Sequence, residues 1–332
     1  MNKSTGQNVN LSATVPTTLA GKRLDQALAE LFPAYSRARL QEWIKQEQVT
    51  IDGKFKKPRE RVLGGELIEI TAHIPRTESW EAQNIPLDIV YEDDSLLVIN
   101  KPIGLVVHPA AGNPDKTLVN ALLNHAPHLA ELPRAGVVHR LDKDTSGLLV
   151  VAKTINAHTQ LIRQLQARTV KREYQAIVTG NLIAGGTVNV NIGRHPVQRQ
   201  RMAALEFGKP AITHYRVVER FPAHTRLKVQ LETGRTHQIR VHMAHIQHPI
   251  VGDLTYGGRL YMPKHASEPL RQTLREFKRQ ALHAQRLGLM HPETNEYKEW
   301  ETPLPEDMQR LLEVLREDRD ASENFFEDDY DY

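Results

Sequence analysis

Cysteine is absent from this 332-residue sequence. Its absence excludes disulfides, thiolate nucleophiles and cysteine-ligated zinc together, and fits a reducing compartment. No apolar run approaches the ~20 residues that a membrane-spanning helix needs. The opening Met-Asn-Lys-Ser-Thr-Gly has none of the apolar core of a signal peptide. A cytoplasmic protein with no membrane partner is therefore expected. There is also no glycine-rich nucleotide-binding motif and no internal repeat.

What is present is a globular composition, 40% hydrophobic and 25% charged, long enough for one large domain and a small one. The net charge of +3 hides an asymmetry. Residues 317–332 hold eight acidic residues and one basic (−7), which leaves +10 on residues 1–316. A basic body suits a polyanion partner, because each phosphate contact gains from counterion release. The acidic stretch 317–332 is expected to be a disordered tail, serving solubility or competing with RNA for the basic face.

Along the chain, residues 1–17 are polar and are expected to form a flexible arm. Residues 18–74 suggest a small α+β domain. Leu24, Leu28 and Leu31 recur at helical spacing, and a second helix is expected from an N-cap at Ser36, with Leu40, Trp43 and Ile44 on one face. Strands are predicted from Val49 to Gly53 and over 67–71. Between them, Lys54 to Arg61 carries five positive charges against one negative, including Lys54, Lys56 and Lys57. Residues 75–84 form a polar linker, and the main body covers 85–316. There, strands are expected over 147–152, 174–178, 187–192, 212–218 and 226–232, and helices over 118–123, 155–167, 236–247 and 305–316. This order, unlike repeated βαβ, predicts an α+β fold with a mostly antiparallel sheet.

The chemistry centres on residues 137–153. A polar segment, His139 to Gly147, lies between the apolar runs Val137–Val138 and Leu148–Ala152, which places a loop at the edge of a core. It holds Asp142 and Asp144 among His139, Arg140 and Lys143. A carboxylate beside fixed cations is kept ionised and available as nucleophile or base. Thr145, Ser146 and Gly147 bring turn chemistry that can fix it. A charged turn without function fits the pattern as well.

The stretch His-Arg-Leu-Asp-x-x-Thr-Ser-Gly at 139–147 resembles the active-site motif of the RluA family of pseudouridine synthases, and the resemblance extends over nearly the whole chain. It implies an isomerase with Asp142 as the catalytic carboxylate. It implies an active-site role for Tyr174, which follows a basic turn containing Arg168 and Lys171 and can stack on a base. It further implies that Arg235, in Thr233-Gly234-Arg235, pairs with Asp142. Arg140 takes the space left by the flipped base, with His139 beside it, and Arg168 and Lys171 contact RNA. The two helices and small basic sheet of residues 18–74 resemble the S4 RNA-binding domain, with Lys54, Lys56 and Lys57 facing RNA. Gln280 to Ala284 resembles another family motif that packs beneath the site. Arg194 to Met202, with three arginines, is expected to contact the RNA backbone.

Turning uridine into pseudouridine transfers no electrons between substrates and gains no group from water, so neither a cofactor nor a metal is expected. His242 and His245 share a helical face, but no His-Glu-x-x-His pattern accompanies them. Asp142 either attacks the anomeric carbon or removes a sugar proton, and the sequence leaves both open. The members that the chain resembles most imply 23S rRNA of the large ribosomal subunit as partner. They imply uridines of the helix 69 stem-loop as targets and a contribution to subunit maturation. A monomer is expected. A glycosidase is a rival, but it needs two facing carboxyls ~5–9.5 Å apart, and Asp142 and Asp144 are close neighbours on one loop. A non-catalytic RNA-binding assembly factor is the other rival.

Overall fold

The computed structural model describes residues 7–33, 35, 37–74, 80–110 and 112–327, without the side chains of residues 7, 8, 38, 73, 74 and 322–327. The chain divides into two compact units, Met1–Ser79 and Trp80–Tyr332.

In the first unit, β1 (Gln7–Thr14), α1 (Leu24–Leu31), α2 (Arg37–Lys45), β2 (Val49–Ile51), β3 (Lys54–Phe55) and β4 (Leu67–Ile74) follow in order. The sheet order is β1-β4-β2-β3. Leu24 and Leu28 of α1 and Leu40, Trp43 and Ile44 of α2 pack on Val49, Ile51, Ile68 and Ile70. Ser36, expected as the cap of α2, lies outside the described residues.

The flexible arm is a correction. Residues 7–14 pair antiparallel with β4, Val9 opposite Ala72 and Leu11 opposite Ile70. Val9, Leu11, Ala13 and Val15 alternate with polar residues, and this period-two pattern, with Val9 and Val15 buried, marks a half-buried strand. Residues 1–6 lie outside the described residues. The buried Asp25 accepts hydrogen bonds from Arg23, Arg37 and Gln41. Burial opposes its ionisation, but these donors prevail and hold its carboxyl at about 2.

The second unit is built on β5 (Ile89–Glu92), β6 (Leu96–Lys101), α3 (Leu118–His125), β7 (Ser146–Ala152), α4 (Ile155–Gln166), β8 (Lys171–Thr179), β9 (Gly186–Asn189), β10 (Ile192–Arg194), β11 (Met202–Ala204), β12 (Ile212–Arg220), β13 (His224–Leu231), α5 (Gln238–His245), α6 (Glu268–Glu276), β14 (Leu282–Met290), β15 (Tyr297–Glu301) and α7 (Glu306–Glu327). The main sheet runs β5-β6-β7-β14-β8-β13-β12-β9, with β15 also paired to β14. Its pairings are antiparallel except β7 with β14. One row crosses five strands: Lys101, Gly147, Ala284, Tyr174 and Val229 are successive partners. Residues far apart in sequence therefore meet on one face of the sheet.

Three further expectations change. The strand over 187–192 is two strands, because Val188 joins the main core while Ile192 packs with Ala211 and Val241 in a small separate cluster. Half of the linker is docked: Asn120 donates to the Glu81 carbonyl, and the Gln83 side chain accepts from the Lys116 amide. Residues 75–79 lie outside the described residues.

The acidic stretch continues α7 as far as Glu327. Met308, Leu311, Leu312 and Leu315 bury one stripe of that helix. No proline or glycine interrupts residues 306–327, Arg316 forks onto Glu219, and Asp318 accepts from the Ser267 amide. Residues 328–332 lie outside the described residues.

Four histidines make this fold acid-sensitive. Burial pushes His108, His224 and His283 down to about 4 and His139 to about 3. Unfolded histidines bind protons near pH 6.5, so the unfolded state is protonated first as the pH falls. Stability is then lost between about pH 6.5 and 4. The urea midpoint is expected to be lower at pH 5 than at pH 7.5. An unchanged midpoint would mean that these rings protonate in the fold as readily as outside it.

Candidate active site

The loop that precedes β7 carries the carboxylates. Its turn closes with the Thr145 amide donating to the Asp142 carbonyl at 3.1 Å. β14 and the residues just before it support the loop: Gln280 donates to the Thr145 hydroxyl, and His283 Nδ1 pairs with the Ser146 hydroxyl at 2.9 Å. The segment 280–284 thus packs against the motif, as its resemblance implied. Gly147 has φ 111°, and a Cβ there would lie 2.2 Å from the Ala284 carbonyl oxygen. Only glycine allows that approach.

Lys101, whose role the sequence did not reveal, is fully buried beside this loop. Its ammonium donates to the carbonyls of Pro102, Leu105 and Lys143 at 2.7–3.0 Å. It therefore ties the loop after β6 to the carboxylate loop. Burial pulls its pKa down to about 8, against the opposing pull of Asp144 and Asp142.

The partner of Asp142 is not Arg235. Arg235 Nε donates to the Pro210 carbonyl at 3.0 Å. Arg240, one and a half turns further, places Nη1 3.2 Å from Asp142 Oδ2. Its Nε and Nη2 fork onto Asp253 at 2.7 and 2.9 Å. Burial works against the Arg240 charge, but the two carboxylates hold its pKa above the usual arginine value. Asp253 also accepts the amides of Thr255 and Tyr256. Burial opposes its ionisation as well, and Arg240 and these amides outweigh it.

The geometry follows from the start of α5. His237 takes a left-handed φ of 55°, so the helix begins after it and turns Arg240 into the site. Arg235 stays on the incoming turn. A buried arginine between Ile239 and Val241 was the available signal, since such a charge requires a paired carboxylate. His237 Nε2 lies 3.9 Å from Asp142 Oδ1, and its Nδ1 pairs with the Tyr256 hydroxyl at 2.8 Å. The Arg240 guanidinium sits 5.0 Å from the centroid of the Tyr256 ring.

These groups border a cavity of about 940 Å³, lined among others by Arg140, Asp142, Arg172, Tyr174, His237 and Arg240. Tyr174 is buried in its wall, and burial raises its pKa. Asp144 does not line it, so no second carboxylate of this loop faces the Asp142 carboxylate across the cavity. Arg140 is exposed at the cavity and has no hydrogen-bond or ion-pair partner among the described residues. Arg168 also borders it and pairs with Glu232 at 2.9 Å.

Some expected RNA contacts have other occupations. His139 lines the cavity, and its Nε2 accepts the Val150 amide, so the ring braces β7. Lys171 bonds Glu299 and does not border the cavity, because strand alternation turns it away from the face that carries Tyr174. In the first unit, Lys54 and Lys57 are exposed, while Lys56 is committed to Glu66 at 2.8 Å. His242 is buried, its two nitrogens paired with the Thr213 hydroxyl and the Val190 carbonyl. Among the described residues no group of side chains is arranged to hold a metal ion.

The chain that carries this sheet, with an arginine-paired aspartate and a buried tyrosine on one cavity, is similar to the RNA pseudouridylate synthases. A match to that family covers residues 95–245, with an S4 domain over 22–68. The chain belongs to this family.

Among its relatives, ribosomal large subunit pseudouridine synthase D of Escherichia coli O157:H7 is 58% identical over 313 residues, covering 94% of this chain and 96% of the relative. The protein of that name from Yersinia pestis is 57% identical over 327 residues, covering 98% and 99%. A solved structure, human RNA pseudouridylate synthase domain containing 4, is 26% identical with a TM-score of 0.54 and covers 69% of this chain and 92% of its own.

Proposed function

We propose that this protein isomerises uridines of large-subunit (23S) ribosomal RNA to pseudouridine, with the helix 69 stem-loop as its target and Asp142 as the reacting carboxylate. One observation carries the proposal. Asp142 meets Arg240 on a cavity shared with Tyr174, in a chain more than half identical to large-subunit pseudouridine synthases. Arg240 orients one carboxylate oxygen, and the other, with His237 Nε2 3.9 Å away, is left to face the ribose. Tyr174 offers a ring for the uracil and a hydroxyl near carbon five. The cavity retains the detached base, which distinguishes an isomerase from a hydrolase. Isomerisation needs no redox partner, and the protein acts as a monomer in the cytoplasm. No helix among the described residues is long and apolar enough to cross a membrane.

The target base must leave its stack to reach Asp142, at a cost of a few kcal/mol. Arg140, exposed and without a partner among the described residues, fills the vacated space. Arg140→Ala is expected to lower RNA affinity and the single-turnover rate together by about tenfold, the order of one lost charge-assisted contact. Intact affinity and rate in that variant would remove this role.

Pseudouridine mapping on large-subunit rRNA incubated with the protein tests the proposal as a whole. Modified uridines confined to the helix 69 stem-loop are expected. Modification elsewhere would reassign the target. Tight binding without modification would favour an assembly factor.

A further inference from the structure

We propose that Arg172 binds a carbonyl oxygen of the target uracil and holds the negative charge that gathers there when the glycosidic bond breaks. This rests on the uridine-isomerising function above. Arg172 stands two residues before Tyr174 on β8, hence on the same face, and lines the same cavity. It is 8% exposed. A guanidinium so enclosed normally has a carboxylate partner, and Arg172 forms no ion pair among the described residues. Its Nη2 donates to the Glu232 carbonyl over a long 3.3 Å, and its buried Nε has no partner. The neighbouring arginines differ. Arg240 is neutralised by Asp253 and Asp142, Arg168 by Glu232, and Arg140 is exposed.

Gly234 shows that the chain makes room for this group. A Cβ at that position would come within 2.7 Å of Arg172 Nη1. Burial lowers the Arg172 pKa, so the charge is kept at a cost that a ligand can offset.

The chemistry specifies the ligand. When the C1′–N1 bond breaks, its electron pair stays on the uracil and spreads over N1 and the two carbonyl oxygens. Carbon five then bonds to C1′, loses its proton, and N1 takes one up, so atoms and electrons balance. Asp142, once bonded to C1′ or holding the sugar proton, carries no charge to balance the departing base. A buried cation beside Tyr174 supplies the opposite field, and burial strengthens such an interaction. RNA phosphates, which stay solvated, suit the exposed Arg140 and Arg168 instead.

The test uses RNA with uridine, 2-thiouridine or 4-thiouridine at the target position, because sulfur accepts hydrogen bonds poorly. On uridine, Arg172→Met is expected to slow single turnover by ~100-fold, the usual loss for one such donor, with RNA affinity unchanged. On one of the two thio-substrates the wild type is itself slowed, and the ratio of wild type to variant falls below about fivefold. A ratio equal on all three substrates would assign Arg172 a structural role and overturn the proposal. Gly234→Ala, which crowds Nη1 and keeps the charge, should show a smaller loss with the same dependence on sulfur. It carries the test if Arg172→Met fails to fold. Failure of the underlying function is distinct, since the wild type would then leave uridine unchanged.

Discussion

Asp142→Asn is expected to abolish conversion of uridine, with single-turnover rates down by ~10⁴-fold or more, while RNA affinity stays within about threefold. Asparagine has the shape of aspartate and can still face Arg240 at the observed distance. It can neither attack the anomeric carbon nor accept a sugar proton. The loop should survive the change, since Thr145, Ser146 and Lys143 are held through other atoms. Asp144→Asn is the paired measurement. Asp144 does not border the cavity, so its variant should retain most of the rate. Equal activity in wild type and Asp142→Asn would mean that another carboxylate reacts.

The second large effect is expected at Arg240, and it has two separable parts. Arg240→Met leaves Asp253 buried without its counter-ion, and such a broken pair typically costs about 3–5 kcal/mol of stability. It also removes the group that orients Asp142, which should slow turnover by ~10²–10³-fold. Adding Asp253→Asn removes the stranded charge. The double variant should therefore regain much of the lost urea midpoint and none of the lost rate. Recovery of both would mean that Arg240 acts only through folding. Arg235→Ala, with its guanidinium on the Pro210 carbonyl, is expected to cost less than about tenfold, within the range of a single hydrogen bond.

The contrast between Arg235 and Arg240 shows what the sequence could and could not convey. Asp142 and Tyr174 were singled out by the family resemblance, one in a nine-residue motif and the other inside β8, and both line the cavity. The choice of arginine depends on a single backbone angle, the positive φ of His237, which starts α5 late. Periodicity does not encode that angle.

Lys101 was illegible for another reason. Its three partners are main-chain carbonyls, and carbonyls leave no residue-type signature. Arg172 was hidden by proximity, one residue from Lys171 in a basic run whose alternate members point to opposite faces. The first strand was missed although its alternation was visible, because Asn, Ser and Thr between the apolar positions read as linker. The second half of α7, residues 317–327, was mistaken for disorder because charge density was weighed above unbroken helix-forming sequence. The strands β7, β8, β12 and β13 and the S4 domain were legible, whereas β14, which lies between β7 and β8, was not anticipated.

The position of β14 in the sheet has a consequence for the timing of assembly. It lies between β7 and β8, although it is made more than one hundred residues after either. Until it is synthesised, the half that carries Asp142 and the half that carries Tyr174 share no strand pairing among those described. A growing chain can therefore complete most of its elements, and the whole basic first domain, while the sheet between the two reacting groups is still open. RNA binding by the S4 domain becomes possible well before catalysis does. The last sixth of the chain acts as the keystone that turns an RNA-binding nascent chain into an enzyme.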